Sequence, residues 1–422
     1  MKNAWAFIPS LYFAEGLPYI IINTLCAAVY SSMGVPNDVF VFWTSWLYLP
    51  WVLKMFWGPL VDSKSTKRNW ILLMQVLLAA IFLVIALSFS LPNYFTASLA
   101  GFFAGAFISA TQDIAIDGYY MLALTEKDQS FFVGIRTLFY RLAMIYGSGI
   151  IAIFAGIVKE KTGNILLSWQ ISFLTAAVLF LLFFLWHAFS LPKPEQDKPV
   201  KSSALPFGDF KESFKTYFTQ KNIIAILAFI LLYRLGEASL EKITTPFLIK
   251  PISQGALGIS LKDFGLVKGT LAMIALIIGN ISGGLLLAKY GFKKCIWPFA
   301  LALTLPNVVY LYMAYATPSL PVIAVLLCFE QFGYGLGFMA FTVFVMLICS
   351  GKYKTSHYAI STGIMALGMM VPGMLSGKLQ MALGYKDFYL LILILSVPGL
   401  LTIPYILKTP CLNNVKLKEE EN

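Results

Sequence analysis

Charge is what this sequence is poorest in. Asp, Glu, Lys and Arg make up only 12% of its 422 residues, against 59% apolar, where a soluble domain carries about twice that charged share. Short alternating segments are missing too, which excludes a membrane β-barrel. The apolar runs are long instead, and in hydrocarbon such a run must satisfy its own backbone as a helix. The five cysteines (Cys26, Cys295, Cys328, Cys349, Cys411) have no metal-ligand spacing. They read as small apolar side chains, so no disulfide framework, zinc site or other cofactor is expected. No G-x-x-x-x-G-K-[ST] loop is present to cradle ATP. Gly333-Tyr-Gly335-Leu-Gly337 lies inside an apolar run with no preceding strand, and reads as close helix packing. No nucleophile–base pair emerges, which argues against an enzyme.

What is there is a series of spans. Twelve apolar stretches, near 5–30, 39–60, 70–90, 95–122, 131–157, 166–190, 222–249, 263–288, 293–316, 320–349, 356–381 and 387–408, mostly reach the ~20 residues that cross a bilayer. The fold class expected is all-α: a polytopic membrane protein of twelve transmembrane helices in two six-helix bundles. The first stretch, with Glu15 and Asn23 inside it, is too long and too polar for a signal peptide and reads as a retained helix. Loops after even-numbered stretches, with the termini, hold nineteen Lys and Arg; loops after odd-numbered ones hold five. By the positive-inside rule both termini face the cytoplasm. The net charge of +11 is largely this bias, so nucleic acid is not expected as a partner.

The longest polar interval divides the chain. The expected organisation is an N-terminal bundle at 1–190, a cytoplasmic linker at 191–221, a C-terminal bundle at 222–408 and a cytoplasmic tail at 409–422. Within the linker, Phe207, Phe210, Phe214, Tyr217 and Phe218 fall near helical spacing, as in an amphipathic helix on a membrane surface. Between the second and third stretches stands Gly58-Pro-Leu-Val-Asp62-Ser-Lys-Ser-Thr-Lys67-Arg68, and between the eighth and ninth Gly284-Leu-Leu-Leu-Ala288-Lys-Tyr-Gly291-Phe-Lys293-Lys294. Both resemble the loop motif of the major facilitator superfamily. The resemblance implies a gating loop at Gly58, Asp62, Lys67 and Arg68; the second copy has Ala288 in place of the acid. Paired motifs and six plus six helices imply parallel repeats with a central site.

Charges inside the spans are costly and therefore point to function. Counted along each helix, Glu15, Arg141, Arg234, Glu237 and Glu330 fall near the midplane. Asp113 and Asp117 lie deeper towards the cytoplasm, level with Arg136. Polar residues share faces: Tyr12, Glu15, Tyr19 and Asn23 on the first stretch; Ser109, Gln112, Asp113 and Asp117 on the fourth; Arg234, Glu237, Glu241 and Thr244 on the seventh; Glu330, Tyr334 and Gly337 on the tenth. The proton-coupling candidates are Glu15, Asp113, Asp117, Glu237 and Glu330, since a desolvated carboxylate beside another can carry a proton. The substrate-binding candidates are Tyr19, Asn23, Gln112, Tyr119, Arg141, Arg234, Gln331 and Tyr334, a set of rings, amides and guanidinium groups suited to a saccharide. Structural readings stand beside these. Arg234 and Glu237 can be an intrahelical pair, Asp113 and Asp117 can neutralise Arg136 and Arg141, and Lys54 reads as a snorkelling or Asp62-paired lysine.

Segments in both halves resemble the AmpG-type muropeptide permeases, a branch of the major facilitator superfamily. They include FAEGLPYII (13–21), LKMFWGPLVD (53–62), SATQDIAIDGYYM (109–121), FYRLAMIYGSG (139–149), LLYRLGEASLEKITTPFLI (231–249) and FEQFGYGLGFMAF (329–341). The resemblance implies proton-driven import of GlcNAc–anhydro-MurNAc fragments across the bacterial inner membrane. It also implies that Gln112, Asp113, Asp117, Arg141, Arg234, Glu237 and Glu330 are the functional set. Glu15, Glu241, Lys242, Lys268 and the Ser356-His357 pair depart from that pattern, which leaves open another amino sugar, another sugar, or an acyl-CoA as cargo. A membrane sensor of cell-wall fragments that transports nothing is the alternative from a different class. The partners expected are a small-molecule saccharide or muropeptide, protons and the lipid bilayer, with the protein a monomer.

Overall fold

The computed structural model describes residues 4–199, 207–349, 354–409 and 412, and every regular element among them is helical. Among the described residues, ten stretches are long and apolar enough to cross a membrane. In chain order the helices are α1 (Ala4–Ser32), α2 (37–64), α3 (Lys67–Ser88), α4 (Tyr94–Ala123), α5 (Phe131–Thr162), α6 (Ile165–Ser190), α7 (Ile223–Ile249), α8 (Leu261–Tyr290), α9 (Phe292–Ala316), α10 (Leu320–Leu347), α11 (354–383) and α12 (385–406). Ten rather than the expected twelve has two sources. α11 and α12 run on as one helical stretch, Ser356–Ile406, across Gly384, whose φ of 73° breaks the helix. α2 is helical along its length, as Asn37–Ser45, Trp46–Tyr48 and Leu49–Lys64, but is not among the ten.

Local chemistry sets the ends. Thr66, Thr125, Asn164 and Ser260 each accept a hydrogen bond from the backbone N–H three residues on, opening α3, the helix leading into α5, α6 and α8, as a helix N-cap should. Gly163 closes α5 in the left-handed region at φ 68°. π-turns at Ile21–Leu25, Tyr146–Ile150 and Val267–Leu271 interrupt α1, α5 and α8. Outward faces carry Leu83, Val84, Leu182, Leu185, Phe189, Leu285, Ile394 and Leu401, all exposed. Such a surface suits lipid and not water.

The chain packs as two units. The first holds Met1–Val35, Trp46–Leu205 and Ile259–Thr270; the second holds Pro36–Ser45, Pro206–Gly258 and Leu271–Asn422. In the first, α5 and the start of α8 cross with backbones in contact. A Cβ on Gly269 would overlap the Ser148 carbonyl, and one on Gly149 would overlap Thr270. In the second, a core of Phe229, Phe299, Phe341 and Phe344 joins α7, α9 and α10. The helix Phe207–Phe218 seats on α11 there: the Tyr217 and Ser361 hydroxyls lie 2.9 Å apart, and Thr216 Oγ1 is 3.0 Å from His357 Nε2. Burial pushes the Tyr217 hydroxyl up to about 12, so it remains protonated.

Candidate functional site

In the first unit the polar faces of α1, α2, α4 and α5 converge on three carboxylates. Asp117 accepts from Arg136 Nη1 at 3.4 Å and from the Tyr12 hydroxyl at 3.3 Å. Arg136 also donates to Tyr12 at 3.0 Å, and its guanidinium lies 5.1 Å from the ring centres of both Tyr12 and Tyr120. Asp113 Oδ2 takes the Trp51 indole N–H at 2.8 Å and the Lys54 ammonium at 3.5 Å. The third acid, Glu15, is buried, and its Oε2 has no hydrogen-bond partner among the described residues. Asp113 Oδ1 is in the same condition. Three acids therefore face two paired cations.

Lys54 pairs with Asp113; Asp62, the partner the sequence suggested, has its side chain outside the described residues. Arg141, expected opposite the aspartates, directs Nη1 to Met144 Sδ at 3.5 Å. Other candidates of this unit are spread out. Tyr19 packs edge-on against Trp51 with ring centres 5.1 Å apart, next to Asp113. Gln112 is fully buried and ties α4 to α1 through the Ala14 carbonyl at 2.8 Å. Asn23 donates to the Tyr19 carbonyl within α1. Tyr119 sits away from the acids, donating to the Pro192 carbonyl at 2.8 Å.

The loop-motif cations face the linker. Asp197 accepts from the backbone N–H groups of Lys67 at 2.6 Å and Arg68 at 3.0 Å, the first two amides of α3. The Arg68 guanidinium in turn reaches the Ala188 and Leu191 carbonyls at the end of α6. Gly58 has open space around its Cα.

A second polar cluster lies in the other unit, on α7, α9 and α10. Glu330 is almost fully buried and accepts from the Tyr310 hydroxyl at 2.9 Å and from Gln331 Nε2 at 3.0 and 3.1 Å. One turn further along α10, the Tyr334 hydroxyl bonds Arg234. The Arg234 guanidinium lies 5.4, 4.8 and 5.9 Å from the rings of Tyr334, Phe338 and Phe341, a cation held among aromatic rings. Glu237 follows one turn on from Arg234 and is buried. Tyr12, Trp51 and Tyr310 were missed in the sequence. Tyr12 stood on a recognised polar face, and Trp51 stands one turn before Lys54; either signal was enough to add them. Tyr310 had none beyond being a tyrosine in a span. Among the described residues no three His, Cys, Asp or Glu side chains are grouped to hold a metal ion.

Comparison with known proteins decides the family. The model of the Major Facilitator Superfamily matches residues 10–376. The chain belongs to that superfamily. As a member it is a multi-pass membrane transporter whose cargo is a small molecule. The anhydromuropeptide permease of Escherichia coli K12 is 27% identical over 411 residues, covering 94% of this chain and 78% of the relative. A Rickettsia conorii protein carrying the name AmpG 4 is 25% identical over 410 residues, covering 93% and 94%. Among solved structures, the nucleoside transporter NupG superposes with a TM-score of 0.71 over 96% of this chain and 98% of the other, at 15% identity. That likeness speaks to the superfamily fold alone.

Proposed function

We propose that this transporter is a proton-coupled symporter that carries peptidoglycan fragments of the GlcNAc–anhydro-MurNAc type, or a closely related amino sugar, inward across the bacterial inner membrane. The reading takes both termini as cytoplasmic and the protein as a monomer. One observation carries the coupling half. In the first unit Asp113 and Asp117 each have a cation, while Glu15 is buried between them with none in salt-bridge range among the described residues. An acid in that position is the one placed to take up and release a proton, which makes Glu15 the carrier and the two aspartates its ion-paired neighbours. Support for the cargo is the permease likeness over nearly the whole chain. Rings beside hydrogen-bonding groups (Tyr19 and Trp51, Arg234 and Tyr334) suit a sugar.

The test is uptake of radiolabelled GlcNAc–anhydro-MurNAc into proteoliposomes under an inward proton gradient. Accumulation should occur and collapse with a protonophore. In Glu15→Gln, accumulation should vanish while exchange of cargo between the two sides persists, because binding no longer needs the proton. Accumulation by Glu15→Gln at the wild-type level would remove Glu15 from the role.

A further inference from the structure

Lys54 is one of the two cations paired with the acids of the first unit. Its ammonium is 3.5 Å from Asp113 Oδ2, and its side chain is 37% exposed while that of Asp113 is 12% exposed. Asp113 has a second hold on the same oxygen, the Trp51 indole N–H, so it is anchored and the lysine is the mobile member. Arg136, by contrast, is clamped between two tyrosine rings and bonded to Tyr12 as well as Asp117. The charges arrayed on Glu15 are Asp117, Asp113, Lys54 and Arg136. Tyr12 on α1 and Tyr140 and Arg141 on α5 are the other ionisable groups around them. With Arg141 the set stands at three acids to three bases, and both paired cations are partly exposed, Lys54 at 37% and Arg136 at 33%.

We propose that Lys54 is the coupling residue of this transporter: an anionic cargo group and Asp113 compete for its ammonium. The proposal rests on the proton-coupled reading of the same cluster. When a cargo carboxylate draws Lys54 off, Asp113 and Glu15 face one another without the lysine, and the cluster takes up one proton to keep its charge. When cargo leaves, Lys54 returns to Asp113 and that proton is released. One negative charge on the cargo is thereby matched by one proton, and no covalent step is involved. The class of cargo selected is a carboxylate-bearing saccharide over its neutral counterpart. Lys54 acts through Asp113 and Glu15, so on the proton side it is a positioning residue. Arginine keeps the charge and glutamine does not.

The decisive measurement needs no cargo. Infrared difference spectra of the purified, lipid-reconstituted protein report protonated carboxyl groups through their C=O stretch. Lys54→Gln should gain one protonated carboxyl at neutral pH relative to wild type. Adding Asp113→Asn to it should abolish that gain, and Lys54→Arg should match wild type. A Lys54→Gln spectrum identical to wild type overturns the proposal. In proteoliposomes, Lys54→Gln should lose gradient-driven accumulation of labelled GlcNAc–anhydro-MurNAc to the level of protonophore-treated wild type, and Lys54→Arg should restore it. Wild-type accumulation by Lys54→Gln also overturns the proposal. Should the wild type itself fail to take up this disaccharide, the cargo assignment falls, and the infrared comparison still decides the role of Lys54.

Discussion

Asp197 provides a stability test whose size follows from its contacts. Its carboxylate is buried, with 7% exposure, and it accepts from the first two N–H groups of α3 at 2.6 and 3.0 Å. Each is a charge-assisted bond at the positive end of a helix dipole. Removing a hydrogen bond to a charged group costs about 1.5–3 kcal/mol, which would put the pair at several kcal/mol. Solvent can rehydrate those amides, so the loss should fall near the upper end of the N-cap range of about 0.5–2 kcal/mol. An estimate of ~2 kcal/mol results. For a folding unit of roughly 150–250 residues, 1 kcal/mol moves Tm by about 2–4 °C, so Asp197→Ala should lower Tm by about 4–8 °C in detergent, read by tryptophan fluorescence. Asp197→Asn keeps one acceptor oxygen and should lose less. Thr66→Ala, which removes an ordinary cap at the same helix end, provides the yardstick at about 1 kcal/mol. If Asp197→Ala melts within a degree of wild type, the linker does not cap α3, and its role as part of the first unit is refuted.

Two further outcomes follow from the same reasoning. Tyr310→Phe removes a 2.9 Å donor to the buried Glu330 at about 1.5–3 kcal/mol; in uptake assays the half-saturating cargo concentration should rise by roughly 10- to 100-fold, and an unchanged value would take Glu330 out of the functional set. Gly269→Leu drives a side chain into the Ser148 carbonyl at the α5–α8 crossing; overpacking of this kind costs about 1–3 kcal/mol, and a folded variant with wild-type Tm would show that the crossing is not close.

Much of the site was legible in advance because hydrocarbon makes polar residues conspicuous. Glu15, Asp113, Asp117, Arg234, Glu237 and Glu330 announce themselves by being charged in apolar runs, and helical spacing sorts them onto faces. Pairing was not legible. The sequence offered Arg136 and Arg141 as partners for the two aspartates. The structure gives Arg136 to Asp117 and Lys54 to Asp113, and turns Arg141 towards Met144. Lys54 was open to a snorkelling reading because a lysine's long stem permits many positions. Its neighbour across α2 and α4 depends on helix rotation and tilt, which spacing along one helix does not set. For the same reason Lys67 and Arg68 read as gating residues, and only the fold revealed that their backbone amides hold Asp197, 130 positions away.

The sequence by itself determined the membrane class, the helical spans and the superfamily. All three follow from one-dimensional quantities: run length, hydropathy and motif spacing, under the rule that buried backbone must bond internally. Tertiary structure decided which charges meet. It placed two cations on two aspartates and left Glu15 as the third acid, and it joined Tyr310 to Glu330 across twenty residues. Coulomb energy in a medium of low dielectric depends on separations of a few ångströms, and those are fixed only when helices pack.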